Sequence, residues 1–414
     1  MNQSISSFTL SNGLQVIVIE RPQSLSVSLS FRIIAGSIYD VKGSEGGAHF
    51  LEHVVFDGTE KYPSEQKLSG LIEEKGGQRN GATGKETVEY WTKTMIEDVE
   101  VGFDYISQVL LHPLLKEVDI EREKKIIEQE INVFTADAEK YSQRAIFKIL
   151  FPNSSLGKFN TGEIRDLQKI TREKILSHME ATYKAGNAVL VICGDVPLEK
   201  IKNLAEKYFK DLKPGNRVAP PSAESLPLKE SVIEYRDIGH SLLSMAFKTF
   251  PASDPRKYAL DLIQSILTKG RTSRLFSEIR EKRALAYVIG SYPIYTRANG
   301  GFVIRVGVTE QKIEETISVI KSELKKLTIE LVSEDEIKKA YIMMKAHQAF
   351  ILEDSLKKAS YYSEMFCLTG SIKNLEEEYS LYEEVIRNPE LIRETAKAIF
   401  AQDPAILILK KKQN

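Results

Sequence analysis

A chain of 414 residues with 42% hydrophobic and 28% charged residues has the composition of a globular protein and the length of two ordinary domains. Its 57 Lys and Arg stand against 58 Asp and Glu, a net charge of -1, so nothing in its charge points to nucleic acid or an anionic membrane and binding is left to local sites. The only two cysteines, Cys193 and Cys367, each sit in an apolar run, which excludes a disulfide framework and predicts two buried thiols.

The first residues, Met1 to Ile5, carry neither the basic start nor the apolar core of a signal peptide. No run approaches the length of a membrane span, and a cytoplasmic location is expected. Phe8 to Leu10 and Leu14 to Ile19 flank Asn12-Gly13, a two-residue hairpin signal. Leu25, Val27, Leu29, Phe31 and Ile33 alternate with mostly polar residues, which predicts a half-buried strand. Next comes Gly46-Gly47-Ala48-His49-Phe50-Leu51-Glu52-His53, read as a short helix capped by Ser44 and ended by Gly58. At helical spacing His49 and His53 share one face and Glu52 lies beside them, so the segment offers two imidazoles to a metal and a carboxylate next to it.

Pro63-Ser64 opens a further helix that Gly76-Gly77 stops, and strand character returns from Asn80 to Thr94. Helices follow over Glu97 to Leu111 and Ile120 to Thr135. On the second of these, Glu123 and Glu130 are two turns apart on one face, and this stretch can supply the third ligand that a zinc site with an open position needs. His112 at a helix end and His178 within the helix Arg172 to Thr182 read as structural. Ala188 to Cys193 is a buried strand. The stretch 214–229, with Pro214, Gly215, Pro220, Pro221 and Pro227, is the best domain linker, dividing a domain over 1–213 from one over 230–414. Beyond it the order recurs: strands at Ser231 to Tyr235 and Ser241 to Lys248, helices at Lys257 to Leu267 and Ser273 to Lys282, a hairpin, helices at Gln311 to Leu327 and Glu334 to Leu352, and a strand at Ala405 to Leu409. The recurrence predicts a duplicated α+β fold, each domain a mainly antiparallel sheet with helices packed on one face.

His-x-x-Glu-His is the inverted order of the His-Glu-x-x-His signature of zinc proteases. With Glu130, with Phe56 to Thr59, Gly76-Gly77, Asn80, Thr83, Thr87 and Tyr90, and with Asn187 to Asp195, it resembles the pitrilysin/insulinase family of zinc peptidases in its mitochondrial-processing-peptidase-like branch. The resemblance implies one Zn2+ per chain on His49, His53 and Glu130, Glu123 orienting a ligand, and Glu52 as general base in peptide hydrolysis. It also implies that Asn80-Gly81-Ala82-Thr83 is an edge strand taking extended peptide; the family usually has Ala where Gly81 stands, and the missing methyl is expected to loosen that edge. Gly270 to Phe276 with Arg280 and Tyr287 resembles the family's C-terminal signature, in which the arginine and tyrosine reach the substrate backbone and reacting carbonyl. The expected substrates are unfolded or presequence-like peptides. Because one chain carries both the metal motif and the Arg280/Tyr287 pair, a homodimer is expected first, and a heterodimer with a metal-free paralogue second. A non-catalytic subunit of the same fold is the alternative, against which intact His49, Glu52, His53 and Glu130 weigh. A structural zinc site is disfavoured by the lack of paired cysteines.

Overall fold

The computed structural model of the protein describes residues 4–152, 154–221 and 231–412. In the first half the elements run β1 (Ile5–Thr9), β2 (Gln15–Glu20), β3 (Ser26–Ile33), α1 (Gly47–Val54), α2 (Glu65–Glu73), β4 (Gln78–Thr83), β5 (Val88–Met95), α3 (Val99–Leu111), α4 (Glu117–Ala136), α5 (Ala138–Leu150), α6 (Ile164–Leu167), α7 (Arg172–Thr182), β6 (Ala188–Gly194) and α8 (Leu198–Phe209). They are followed by β7 (Ser231–Arg236), β8 (Ser241–Thr249), α9 (Lys257–Thr268), β9 (Ala286–Tyr295), β10 (Gly300–Val308), α10 (Ile313–Ile329), α11 (Glu334–Leu352), α12 (Ser355–Thr369), α13 (Leu375–Arg387), α14 (Glu390–Phe400) and β11 (Ala405–Lys411). The fold is α+β, with two mainly antiparallel sheets and their helices.

The first sheet has the order β1-β2-β6-β3-β5-β4, with only the β2–β6 pair parallel. Gly13, at φ +96°, turns the expected β1–β2 hairpin. Side chains alternate across the sheet. One set, including Val16, Val18, Leu29, Phe31 and Ile192, is buried with Phe50, Leu51, Phe103 and Ile106 of the helices. The opposite set, Ile17, Ile19, Val189, Val191 and Cys193, is buried with Ala359, Tyr362 and Cys367 of α12. Strand β3 is therefore buried on both faces and not on one, as its alternation suggested. Its polar partners face α12: Ser28 bonds Ser355 at 2.8 Å, Ser30 bonds Ser363 at 2.9 Å, and Arg32 donates to Glu89 at 2.8 Å, to Ser363 at 2.9 Å and to Thr87 at 3.0 Å. A charge removed from water needs such partners.

The second sheet has the order β7-β11-β8-β10-β9, again with one parallel pair, β11–β7. Leu243, Met245, Phe247, Phe302 and Ile304 bury one face with α9, α10 and α14. Helix α5 lies against β8 and β11 on the other, where Ser142 bonds Ser244 at 3.1 Å.

Each sheet is thus closed by a helix from the other half of the sequence, a refinement of the one-faced packing expected. The chain forms two compact units, Met1–Asn132 with Lys158–Pro221 and Phe350–Ile372, and Val133–Gly157 with Ser222–Ala349 and Lys373–Asn414. Neither unit is a single contiguous stretch like the domains expected at 1–213 and 230–414. Of the linker expected at 214–229, residues 222–229 lie outside the described residues. Both cysteines are buried and neither is in a disulfide.

Candidate metal centre in the first unit

Helix α1 is preceded by Gly46 at its N-cap, which has φ +89°, a value that strains any side-chain-bearing residue. The cap comes from Asp40 and not from Ser44: its carboxylate accepts from the Gly46 and Ala48 N–H groups, both at 2.7 Å. Burial pushes the Asp40 carboxyl up to about 7 against the opposing pull of those two hydrogen bonds. The helix ends at Val54, earlier than Gly58.

His49 and His53 project from one side of α1, ring centroids 4.6 Å apart. Glu130, on α4, brings Oε2 to 3.5 Å from His49 Nε2 and 3.6 Å from His53 Nε2. Two nitrogens held at about 2.0–2.1 Å and an oxygen at about 2.0–2.2 Å around a tetrahedral ion are about 3.4 Å apart, so this donor set fits zinc. Among the described residues, these three are the only group of potential metal donors drawn together. Glu123, one face with Glu130, holds His53 Nδ1 at 3.2 Å, which leaves Nε2 for the ion.

Behind Glu123 stands a group that sequence reading missed. Arg122 reaches Glu123 Oε1 at 3.5 Å, Asp119 at 2.9 Å and Asp57 at 2.5 Å. One guanidinium thereby ties α4 to the loop after α1. Burial, helped by the charge of Glu123, raises Asp57 to about 7 although Arg122 pulls the other way. The sequence signal was present in Asp57, four residues past His53, but nothing in it paired Asp57 with Arg122.

Glu52 is 8% exposed and reaches β4. Its Oε2 accepts from Thr83 Oγ1 at 3.0 Å. A Cβ built on Gly81 would lie 2.7 Å from Glu52 Oε1, so the glycine makes the space that the carboxylate occupies. The missing methyl thus seats Glu52, where sequence reading expected only a looser edge. Burial raises the pKa of Glu52, while His53 and the Thr83 hydroxyl oppose the shift. Strand β4 is an edge of its sheet, pairing with β5 alone; Gly81 and Thr83 face Glu52, and Asn80 and Ala82 alternate onto the exposed side.

His112 is a half-exposed helix-end residue 3.6 Å from Glu60, and His178 is buried with Nε2 3.1 Å from the Ala35 carbonyl oxygen. Neither is in the metal group.

In the second unit, Arg280 lies on a segment, Phe276–Glu281, wound as a π-helix. Its guanidinium stacks over the Tyr287 ring at 4.3 Å and donates to the Tyr287 carbonyl oxygen at 3.3 Å. Gly307 pairs with Val288 and Val308 with Ala286, so Tyr287 is the extra residue of a β-bulge, and its side chain is 75% exposed. Bulges of this kind re-aim a side chain out of the ladder.

Residues 15–160 match the model of the family Insulinase (Peptidase family M16), and residues 169–343 match that of Peptidase M16 inactive domain. An "Uncharacterized zinc protease" of Rickettsia felis is 30% identical over 369 residues, covering 88% of this chain and 87% of that protein. The chain belongs to peptidase family M16. A "Uncharacterized zinc protease YmxG" of Bacillus subtilis is 25% identical to this M16 chain over 414 residues, 99% of both. The mitochondrial-processing peptidase subunit beta of Neurospora crassa is 33% identical over 226 residues, 54% of this chain and 46% of that one. The fold of the M16 chain is that of a protease from Helicobacter pylori, with TM-score 0.88, 21% identity and 99% of each chain covered. The stretch that matches the M16 model described as inactive, residues 169–343, lacks His-x-x-Glu-His.

Proposed function

We propose that this M16 chain is a zinc-dependent endopeptidase in which His49, His53 and Glu130 hold the ion. The observation that carries the reading is the convergence of two imidazole Nε2 atoms and one carboxylate oxygen, with an unligated buried carboxylate, Glu52, on the same helix. When bound, zinc supplies Lewis acidity that lowers the pKa of water towards neutrality and polarises a carbonyl. Glu52 takes the proton from water and passes it to the leaving amine. Its burial suits that exchange, because a carboxyl with a raised pKa both accepts and returns a proton near neutral pH. Thr83 fixes one carboxylate oxygen, and Glu123 with Arg122 behind it fixes the ring of His53.

Substrate adds to the open edge of β4 as a further strand, held by backbone hydrogen bonds along Asn80 to Thr83 with little demand on sequence. Unfolded and presequence-like peptides fit that mode. Tyr287 offers its hydroxyl to the developing oxyanion, and Arg280 contacts the substrate. The assembly is a homodimer, since one chain carries both sets of residues; a heterodimer with a metal-free paralogue is the second arrangement. Among the described residues no helix is long and apolar enough to cross a membrane, and the reading adopted for its location is cytoplasmic.

The test is cleavage of a quenched peptide by the full chain with metal content measured in parallel. Glu52→Gln should keep its zinc and lose about 10²- to 10⁴-fold in turnover, and a chelator should abolish what the unaltered chain does. Full turnover by zinc-loaded Glu52→Gln would remove Glu52 from its assigned role.

A further inference from the structure

A cavity of about 560 Å³ opens beside the Tyr287 bulge, within the size range of small-ligand sites. Leu285, Ala286 and Val308 give it apolar walls, and its polar groups include the Arg280 guanidinium and the His240 imidazole. The His240 ring lies over Gly307, where a Cβ would come within 3.3 Å of Cδ2, so the absence of a side chain there makes room for the imidazole.

The charge around this cavity is one-sided. None of its described lining residues is acidic. Of the two acids flanking Arg280 in sequence, the exposed Glu281 does not line the cavity, and Glu278 is already bound to Lys282 and Arg283, which hold its carboxyl down to about 2. Among the described residues the Arg280 side chain has no ion pair, and its only hydrogen bond is the one from Nη1 to the Tyr287 carbonyl. Its Nη2 and Nε remain, and a guanidinium edge meets a carboxylate through two parallel bonds better than it meets any other common peptide group. Stacking on Tyr287 and, at 4.9 Å, on Phe276 orients its plane in advance.

We infer that this pocket binds a carboxylate of the peptide substrate between Arg280 and His240, its apolar walls taking the adjoining aliphatic carbons. The inference rests on the reading of Arg280 and Tyr287 as substrate-contacting residues, and adds a chemical preference that the zinc site does not supply. The carboxylate is either the peptide's own C-terminus or the side chain of an internal acidic residue.

Binding and cleavage are measured separately. Four fluorescein-labelled peptides of one sequence, ending in a free acid or an amide and carrying an internal Glu or Gln, are titrated by anisotropy into full-length Glu52→Gln chain, which does not consume them. At least one carboxylate-to-amide exchange should weaken binding fivefold or more, and the exchange that does so names the source. That preference should fall below twofold in the added presence of either His240→Ala or Arg280→Gln, both at half-exposed or exposed positions, and should shrink as salt is raised. Four peptides that bind within twofold of one another, or a preference that survives both substitutions, overturns the assignment. Cleavage by the unaltered chain with no such preference would sink the pocket and leave the peptidase reading standing. A clear preference without cleavage would sink the peptidase reading and leave the pocket.

Discussion

A single missing methyl group fixes where Glu52 sits. In Gly81→Ala the new carbon would fall 2.7 Å from Glu52 Oε1, closer than two such atoms approach, and the mobile end of the glutamate has to give way. Misplacing a proton-transfer group by about an ångström costs up to about 10²-fold, so turnover of the quenched peptide should fall at least tenfold while zinc content stays unchanged. Equal turnover would show that Glu52 finds its position without help from the edge strand. Asp40 provides a second residue-scale test. Its carboxyl rises from 3.8 to about 7 in the folded chain, so the native state holds a proton that the unfolded chain has already released. Its contribution to stability is therefore present at low pH and is lost as pH rises from about 4 to about 7. Urea midpoints should fall over that window in the metal-free chain by on the order of 1 kcal/mol per pH unit, and Asp40→Asn should flatten the slope. The residues that touch the metal group were visible in sequence through helical spacing, because His49, Glu52, His53, Glu123 and Glu130 obey it. Those that position them were not: Thr83 and Gly81 meet Glu52, and Asp57 meets Arg122, only once separate elements are brought together.

At the level of elements, the sequence reading placed most of the strands and many of the helices, but it passed over α8, α13 and α14, although α8 and α14 each bury a plainly apolar face. Helix α12 docks through Ser355, Ala359, Tyr362, Ser363 and Cys367, a face with too little hydrocarbon to give a stripe, and it has no counterpart among the predicted elements. For the same reason β3 looked half-buried: Ser28, Ser30 and Arg32 read as solvent-facing, yet they meet α12. Tyr287 was expected to reach substrate, but the bulge that turns its side chain outward depends on the register with β10, which no local pattern encodes. The β3–α12 interface carries its own prediction. Glu89 accepts from Arg32, Ser30 and Ser360, the last at 2.6 Å, and Glu89→Ala would strand a buried guanidinium. The loss should be about 3–5 kcal/mol, read from denaturant midpoints. A loss below about 1 kcal/mol would mean that the network is solvated and contributes little.

For the whole molecule, the duplicated order of elements was readable, and the exchange of helices between the halves was not. Closing the first sheet takes α12 from far along the chain, and closing the second takes α5 from before it. A fragment of residues 1–221 should therefore leave Ile17, Ile19, Val189 and Val191 uncovered, bind a hydrophobic dye and aggregate, and supplying 222–414 in trans should suppress both. A monomeric fragment that leaves the dye dark would show that the sheet does not need its second cover. The same arrangement has a bearing on biogenesis. On a ribosome the segment that bears His49 and His53 emerges early, but the helix that seals its sheet arrives only after residue 355, on the order of ten seconds of translation later than residue 221. Throughout that interval the nascent polypeptide presents a greasy flank to its surroundings, which makes it a natural client for holdase chaperones.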